Sequence, residues 1–444
     1  MAKFEFSTNV IPLAITELSR AQKFAKIAIF QIHAKEVFDV LKQKLKQGIA
    51  VEIITLPFDS INSDVREEVE SNLLELQKLG AKLFFNAWNV GDPSRTTTAV
   101  GRWYAFHGKF MVTDKSAISL SANLIDASEL DAILIYVEQK KIDEFKAKFE
   151  ELKELYILPY GGYQGKLRSK ISGLKQSGIE AVFSLPPNIA VKHANAWILH
   201  YPISLCPDIK EIRDGLFITP TDFRGREFLE KAITDAKDFV YLSSETFTDQ
   251  AFANFIQRIS LSGVEVKILT GYGSMDFSDR MQIIMKDLLA AKTDIRTTDK
   301  DLHAKFLLTD KLLAVTSINL NNINLGFFKT KGFWRENTET ISVCSDPEVV
   351  AQAKKQFEDV FNQSLSLSDV IAEKNLPNFT KFLNSAFNYK FKKDARLFLS
   401  KLALQTDVAE RKKIRDLITK AITLAKKEGS KEISKKHVEE ALAS

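Results

Sequence analysis

Residues 106–124, FHGKFMVTDKSAISLSANL, are answered by residues 302–320, LHAKFLLTDKLLAVTSINL. Nine of these nineteen positions are identical, and His107, Lys109, Asp114, Ser121 and Asn123 recur as His303, Lys305, Asp310, Ser317 and Asn319. A histidine and a lysine two apart on a strand project from one face, because side chains alternate. Each copy therefore offers an imidazole beside a fixed cation. One such pair is ordinarily a half-exposed surface feature. Two matched copies, each followed by Ser-x-Asn, read as a site. One imidazole can attack while the other donates a proton, which is what cleavage of a phosphodiester requires.

The duplication extends outward from the motif. Before the first copy, compact apolar runs rich in Ile, Val and Phe predict strands at 25–32, 51–58 and 81–85, with helical periodicity over 34–48 and up to Leu79. Before the second, the same order predicts strands at 239–247, 264–272 and 293–298, with helices at 249–263 and 277–291. Strands of this kind alternating with helices argue a sheet covered on both faces. Gly48 and Gly263 stand where a helix should end in a left-handed cap. The chain start reads as helix, and beyond about Leu365 the pattern is wholly helical, with helices at 394–405, 407–429 and 433–443. The expected organisation is a first lobe (1–155), a connector (156–215), a second lobe (216–364) and a basic helical domain (365–444).

Bulk properties narrow the field. A chain of 444 residues with 45% hydrophobic and 27% charged residues is expected to form more than one ordinary core. The first residues include Glu5 and no unbroken apolar run, so no signal peptide is expected. No stretch approaches ~18 consecutive apolar residues, so stable membrane insertion is not expected. Cys206 and Cys344 are the two cysteines; far apart, they read as free thiols in the cytoplasm and exclude a cysteine metal site. The net charge of +5 is uneven: residues 381–436 hold sixteen Lys or Arg against six acids. The C-terminal end is a basic appendage on a mildly acidic body, and nucleic acid is the partner it suggests.

The doubled His-x-Lys, with Asp five residues on and then Ser-x-Asn, resembles the phospholipase D superfamily, the enzymes with two HKD motifs. The likeness spans roughly residues 20–365. It implies an α/β fold of two pseudo-twofold-related α/β/α lobes around one composite site, here with an all-helical C-terminal domain. That domain, in its short, long and short helices, resembles a histone fold or an ATPase lid. The family feature of an acid opening the strand after the motif falls on Asp131 and Glu339. By charge, Lys109 and Lys305 are expected to grip the phosphate, with Ser121, Asn123, Ser317 and Asn319 as neutral donors. By resemblance, His107 is the nucleophile and His303 the acid, although the pseudo-symmetry leaves the reverse open. Asp131 and Glu339 are expected to orient the imidazoles. Asp114 and Asp310 are motif members expected to start the following turn and tie the two halves together. No cofactor or metal is expected, since the lysines neutralise charge. Arg95, Arg102, Trp103, Trp334 and Arg335 are candidates for lining the cleft.

The function expected is a metal-independent phosphodiesterase acting through a phosphohistidine, in the first place a nuclease on DNA or RNA. A phospholipase or phosphatidyl transferase shares all the chemistry and is the alternative, and a non-catalytic nucleic-acid-binding protein is a third reading. Oligomeric state, strand preference and endo- or exonucleolytic mode are not encoded legibly.

Overall fold

The computed structural model describes residues 2–56, 61, 63–86, 106–159, 181–184, 190–193, 201–202, 208–219, 221–271, 279–298, 301–321, 324–328, 333–335, 337–387, 389–404 and 411–444. The chain forms two compact units, Met1–Asp249 with Lys300–Glu358, and Gln250–Asp299 with Asp359–Ser444. The class is α/β, as the doubled pattern of strands and helices requires.

The first lobe runs β1 (Ala2–Ser7), α1 (Val10–Ser19), β2 (Phe24–Ile29), α2 (Lys35–Lys46), β3 (Ala50–Thr55), α3 (Ser63–Lys78), β4 (Lys82–Asn86), β5 (Lys109–Thr113), β6 (Ala117–Leu120), β7 (Asp131–Tyr136), α4 (Gln139–Tyr156) and β8 (Ile157–Pro159). The sheet order is β1-β7-β6-β5-β2-β3-β4-β8. β2, β3 and β4 pair parallel, and β5 lies antiparallel to β2. Every residue of β5, β6 and β7 is buried. Strands covered on both faces take apolar side chains throughout, so the polar groups among them stand out. Gly48 has φ +79° and closes α2, as its position predicts.

The chain start departs from expectation. It is β1, antiparallel to β7, and not a helix. Phe4 and Phe6 point inward while Lys3 and Glu5 do not, a two-residue alternation too short to stand out against the helical pattern that follows.

The connector shows an antiparallel pair, β9 (Ala181–Ser184) with β10 (Ala190–His193), and a short β11 (Tyr201–Pro202). Next come β12 (Gly215–Thr219), α5 (Gly225–Thr234) and β13 (Phe239–Ser244). α6 (Gln250–Leu261), β14 (Glu265–Thr270), α7 (Asp279–Ala290) and β15 (Asp294–Thr297) belong to the second unit. The chain then gives β16 (Phe306–Thr309), β17 (Leu313–Thr316), β18 (Phe327–Phe328), β19 (Phe333–Arg335), β20 (Glu339–Cys344) and α8 (Pro347–Gln363).

In the first unit, β12-β20-β17-β16-β13 repeats β1-β7-β6-β5-β2 strand for strand. The two sets meet through named contacts. Tyr136 of β7 donates to the Val343 carbonyl at 3.1 Å, and the Phe4 and Phe6 rings pack edge-on against Phe306. Buried aromatic pairs of this geometry contribute beyond the area they cover.

In the second unit, β14 and β15 pair parallel, and β21 (Leu365–Ser366) lies antiparallel to β15, matching β3, β4 and β8. The C-terminal part holds α9 (Leu367–Ala386), β22 (Lys390–Phe391), α10 (Lys393–Leu404), α11 (Arg411–Lys427), β23 (Glu432–Ile433) and α12 (Lys435–Ala443). The long helix α9 precedes the three expected ones. α11 buries Ile414, Leu417, Ile418, Ala421 and Ala425 along one stripe. Its Lys412, Lys413, Arg415, Lys420, Lys426 and Lys427 lie on the exposed side. That spacing is one face of a helix.

Asp114 and Asp310 do structural work within each lobe. Asp114 Oδ1 accepts from the Gln22 and Lys23 amides at 2.8 and 2.9 Å, and Asp310 Oδ1 accepts from Lys237 at 2.9 Å. They join the turn after β5 or β16 to the start of the neighbouring strand; these bonds do not tie one lobe to the other. Burial alone would raise the Asp114 carboxyl, but the two amides hold it below its ordinary value. Asp114→Ala should lower the urea unfolding midpoint by an amount worth about 1–2 kcal/mol, with turnover changed less than about twofold.

Candidate active site

The site is assembled by the backbone before any side chain acts. The residue before each histidine bridges to the residue before the other lobe's acid: Phe106 with Thr338, and Leu302 with Leu130. The His107 amide donates to the Thr338 carbonyl at 2.8 Å, and the His303 amide to Leu130 at 2.9 Å. The side chains cross in the same sense. His107 Nδ1 lies 2.9 Å from Glu339 Oε2, and His303 Nδ1 lies 3.1 Å from Asp131 Oδ1. An ionised carboxylate can only accept, so each Nδ1 carries the proton and each Nε2 is left for chemistry.

The serines complete these pairs. Ser121 Oγ donates to Asp131 Oδ1 at 2.9 Å, and Ser317 Oγ donates to Glu339 Oε2. Each hydroxyl also accepts from the next strand, from the Ala132 amide at 2.8 Å and the Thr340 amide at 2.9 Å. The serine protons thus hold the carboxylates that hold the imidazoles. Among the described residues the Asn123 and Asn319 side-chain oxygens have no hydrogen-bond partner although both are buried. Those oxygens are uncommitted, which is unusual for buried polar atoms. Asn324, unmarked in the sequence, donates to Glu339 Oε1 from its side-chain nitrogen and fixes the second oxygen of that carboxylate.

The two lysine side chains are fully buried. Lys109 Nζ lies 3.0 Å from the His107 carbonyl and 3.1 Å from His107 Nε2. Lys305 Nζ donates to the His303 carbonyl at 2.6 Å. Burial, with Lys305 nearby, pushes the Lys109 ammonium down to about 7. Burial pushes His107 down to about 4, against the pull of Glu339. Burial would raise Asp131, but His303 and Lys305 hold its carboxyl below the ordinary value. Two buried cations, one lowering the proton affinity of the other, favour an anion beside them.

The half-sites are not equivalent. Phe30, just past β2, stands edge-on to the His107 ring at 4.7 Å between centroids. Just past β13 the matching position is Glu245, whose Oε2 lies 3.5 Å from Lys305 Nζ and 3.9 Å from His303 Nε2. Glu129 Oε2 also approaches His303 Nδ1, at 3.9 Å. His107 therefore sits in an apolar, cation-flanked place and His303 among three carboxylates. The ligand atoms of Glu129, Asp131 and His303 lie within 4.8 Å of one another; these carboxylates brace and balance the imidazole.

Phe30, Glu245 and Asn324 were missed because they fall outside the repeated motif and differ between copies. Aligning β2 with β13 would have marked the first of these positions. Arg95, Arg102 and Trp103 lie outside the described residues, as do the side chains of Trp334 and Arg335.

Comparison with known proteins shows the family. Residues 14–153 and 229–361 match the family described as cardiolipin synthase, PLD-like domain, which is more than half of the chain. The chain belongs to the phospholipase D superfamily. It is 30% identical over 146 residues to cardiolipin synthase 1 of Bacillus anthracis, a match covering 32% of this chain and 27% of that protein. The crystal structure of phosphatidylserine synthase from Haemophilus influenzae Rd KW20 superposes with a TM-score of 0.55 at 14% identity, covering 82% of this chain and 87% of that one. The last likeness is one of fold.

Gly108, between the first histidine and lysine, has no room for a side chain. A Cβ there would stand 2.8 Å from Thr340 Cγ2 and 2.9 Å from Phe106 Cε2. Thr340 Oγ1 accepts from the Lys109 amide at 3.0 Å, so displacing it moves the lysine. Gly108→Ala should cost about 1–3 kcal/mol of stability and more than about tenfold in turnover, read from thermal melts and initial rates.

A second expectation concerns acid. Between about pH 6.5 and about pH 4 the unfolded chain binds a proton at His107 that the folded protein does not, so stability falls as pH is lowered through that window. His107→Gln should flatten this part of the pH–stability curve relative to the unsubstituted protein.

Proposed function

We propose that this protein cleaves or transfers the phosphodiester of a glycerophospholipid through a phosphohistidine intermediate. The observation that carries the chemistry is the crossed bracing of two histidines, each with Nδ1 held by the other lobe's carboxylate. The lipid assignment is supported by the family match, described as cardiolipin synthase, and by the cardiolipin synthase 1 of Bacillus anthracis. These move the reading away from a nuclease and toward the alternative that the sequence left open.

The step divides as follows. Lys109 and Lys305 hold the non-bridging oxygens, with Asn123 and Asn319 as neutral donors. Nε2 of His107, neutral because burial lowers its proton affinity, attacks phosphorus. The bond from phosphorus to the leaving oxygen breaks, and that oxygen takes the proton from Nε2 of His303. In the second half, water or an alcohol gives its proton to His303 and attacks phosphorus, breaking the bond to His107. The choice of His107 as nucleophile rests on the asymmetry: an attacking nitrogen must be unprotonated, with Lys109 turning its hydrogen bond from Nε2 to the phosphate, and a proton donor gains from surrounding carboxylates.

A nucleic-acid substrate is the second reading, favoured by the exposed cationic face of α11. Among the described residues no helix is long and apolar enough to cross a membrane. Purified protein is to be incubated, with excess EDTA, with phosphatidylglycerol vesicles and in parallel with single- and double-stranded DNA and RNA. Released or transferred lipid headgroup without nucleic-acid cleavage is the expected result; the reverse outcome would establish the nuclease.

On the active substrate, His107→Asn and His303→Asn should each remove about 10³-fold or more of the rate, and Glu339→Gln about 10²-fold or more. The kcat/KM profile, which reports the free enzyme, should keep its acid limb near pH 4 as His107 protonates, and fall above about pH 7 as Lys109 loses its proton. An acid limb near the ordinary histidine value would contradict the assignment of His107.

A further inference from the structure

Glu245 belongs to neither copy of the motif. It is the first residue past β13, and Phe30 is the first past β2. Each stands two residues before a bridge to the end of the Ser-x-Asn segment, Ile32 with Leu124 and Phe247 with Leu320. The pseudo-repeat thus places a phenyl ring on one side of the site and a carboxylate on the other. Asp131 takes Nδ1 of His303, so Glu245, 3.9 Å from Nε2, faces the reacting edge of that ring. The same oxygen lies 3.5 Å from Lys305 Nζ. A phosphate gripped by Lys305 and served by His303 must come to rest against these two groups, beside the carboxylate.

We propose that Glu245 is a specificity-determining charge filter, which admits the singly charged phosphodiester and disfavours the doubly charged phosphomonoester. This rests on the phosphodiesterase reading of the site and is independent of whether the diester is lipid or nucleic acid.

The charges around Glu245 are Lys305 and His303 beside it, Lys109 and His107 across the site, and Glu129 and Asp131 as the further carboxylates around His303. Burial would raise the Glu245 carboxyl, but Lys305 and His303 pull it below its ordinary value, which keeps it ionised at neutral pH. A diester carries one negative charge throughout this range. A monoester loses its second proton near pH ~6 and so presents two. At a separation of ~5 Å and an effective dielectric of ~20, repulsion of the added charge by Glu245 alone weakens binding roughly two- to three-hundredfold. The side chain is 25% exposed, and solvent ions screen it in part, so roughly ten- to a hundredfold is the range to expect. Phe30 exerts no such effect on its own side. The filter also bears on turnover, because hydrolysis of a diester yields a monoester, which leaves more readily from a site that repels its second charge.

The test is calorimetric titration of inorganic phosphate into the full chain and into Glu245→Gln, at about pH 5.5 and about pH 8. Near pH 8 the variant's gain in phosphate affinity over the unsubstituted protein should be at least about tenfold larger than its gain near pH 5.5, where the phosphate carries one charge against the same carboxylate. Glu245 also helps Lys109 keep its proton, so Glu245→Gln loses some Lys109 charge near pH 8, an effect that opposes the expected gain and cannot mimic it. Glu245→Asp, which keeps the charge, should retain the discrimination and guards against a folding defect in the first variant. Equal affinities near pH 8, the same ratio at both pH values, or no measurable binding by either protein would overturn the proposal. Because phosphate binding is read directly, a protein inactive on lipid vesicles would count against the lipid reading and leave this result standing.

Discussion

The structure depends on an exchange: each lobe supplies the carboxylate that braces the other lobe's histidine. Glu339 reaches His107 and Asp131 reaches His303, and the backbone bridges Phe106 with Thr338 and Leu302 with Leu130 impose that crossing. An imidazole held at Nδ1 by an ionised acceptor has one tautomer and one orientation. The serines and Asn324 then fix the acceptors. Every group in this chain of bonds is tied to a strand, and little rearrangement is left for the moment of reaction.

The arrangement concentrates charge where water is scarce. Two buried ammonium groups and several carboxylates would be costly if any were unmatched. Matching is achieved by interleaving signs: Lys109 near His107 and Glu339, Lys305 near Glu245 and Asp131. Burial chiefly lowers the proton affinity of Lys109, the positive charge of Lys305 adds to it, and an anionic substrate relieves both. On the second side Glu245 offsets the charge of Lys305, so a site built by duplication acts with a direction.

Much of this was legible in the chain alone because duplication supplies its own control. A residue that recurs at the same offset in two copies, as His107 and His303 do, is distinguished from chance without any other sequence. The strands were legible as unbroken apolar runs, and Gly48 and Gly263 as helix ends. What the sequence hid has physical causes. β1 is too short for its alternation of Phe4 and Phe6 to outweigh the helix beside it. Glu245 and Phe30 share a place and not a chemistry, so a search for identity passes over them. The serines looked like phosphate donors because hydroxyls suit that role, but a carboxylate on the adjacent strand is a stronger acceptor already within reach. Which acid braces which histidine is set by how strands from distant segments meet, and no local pattern records it.

The crossing also sets a timetable. During synthesis the two imidazoles are both present once the chain has passed His303, yet the first still lacks its acceptor until the strand beginning at Glu339 has been made and laid beside its neighbours. A nascent chain thus has no braced His107 until Glu339 has been made. Competence arrives late and all at once, when the strand that opens at Glu339 takes its place beside His107.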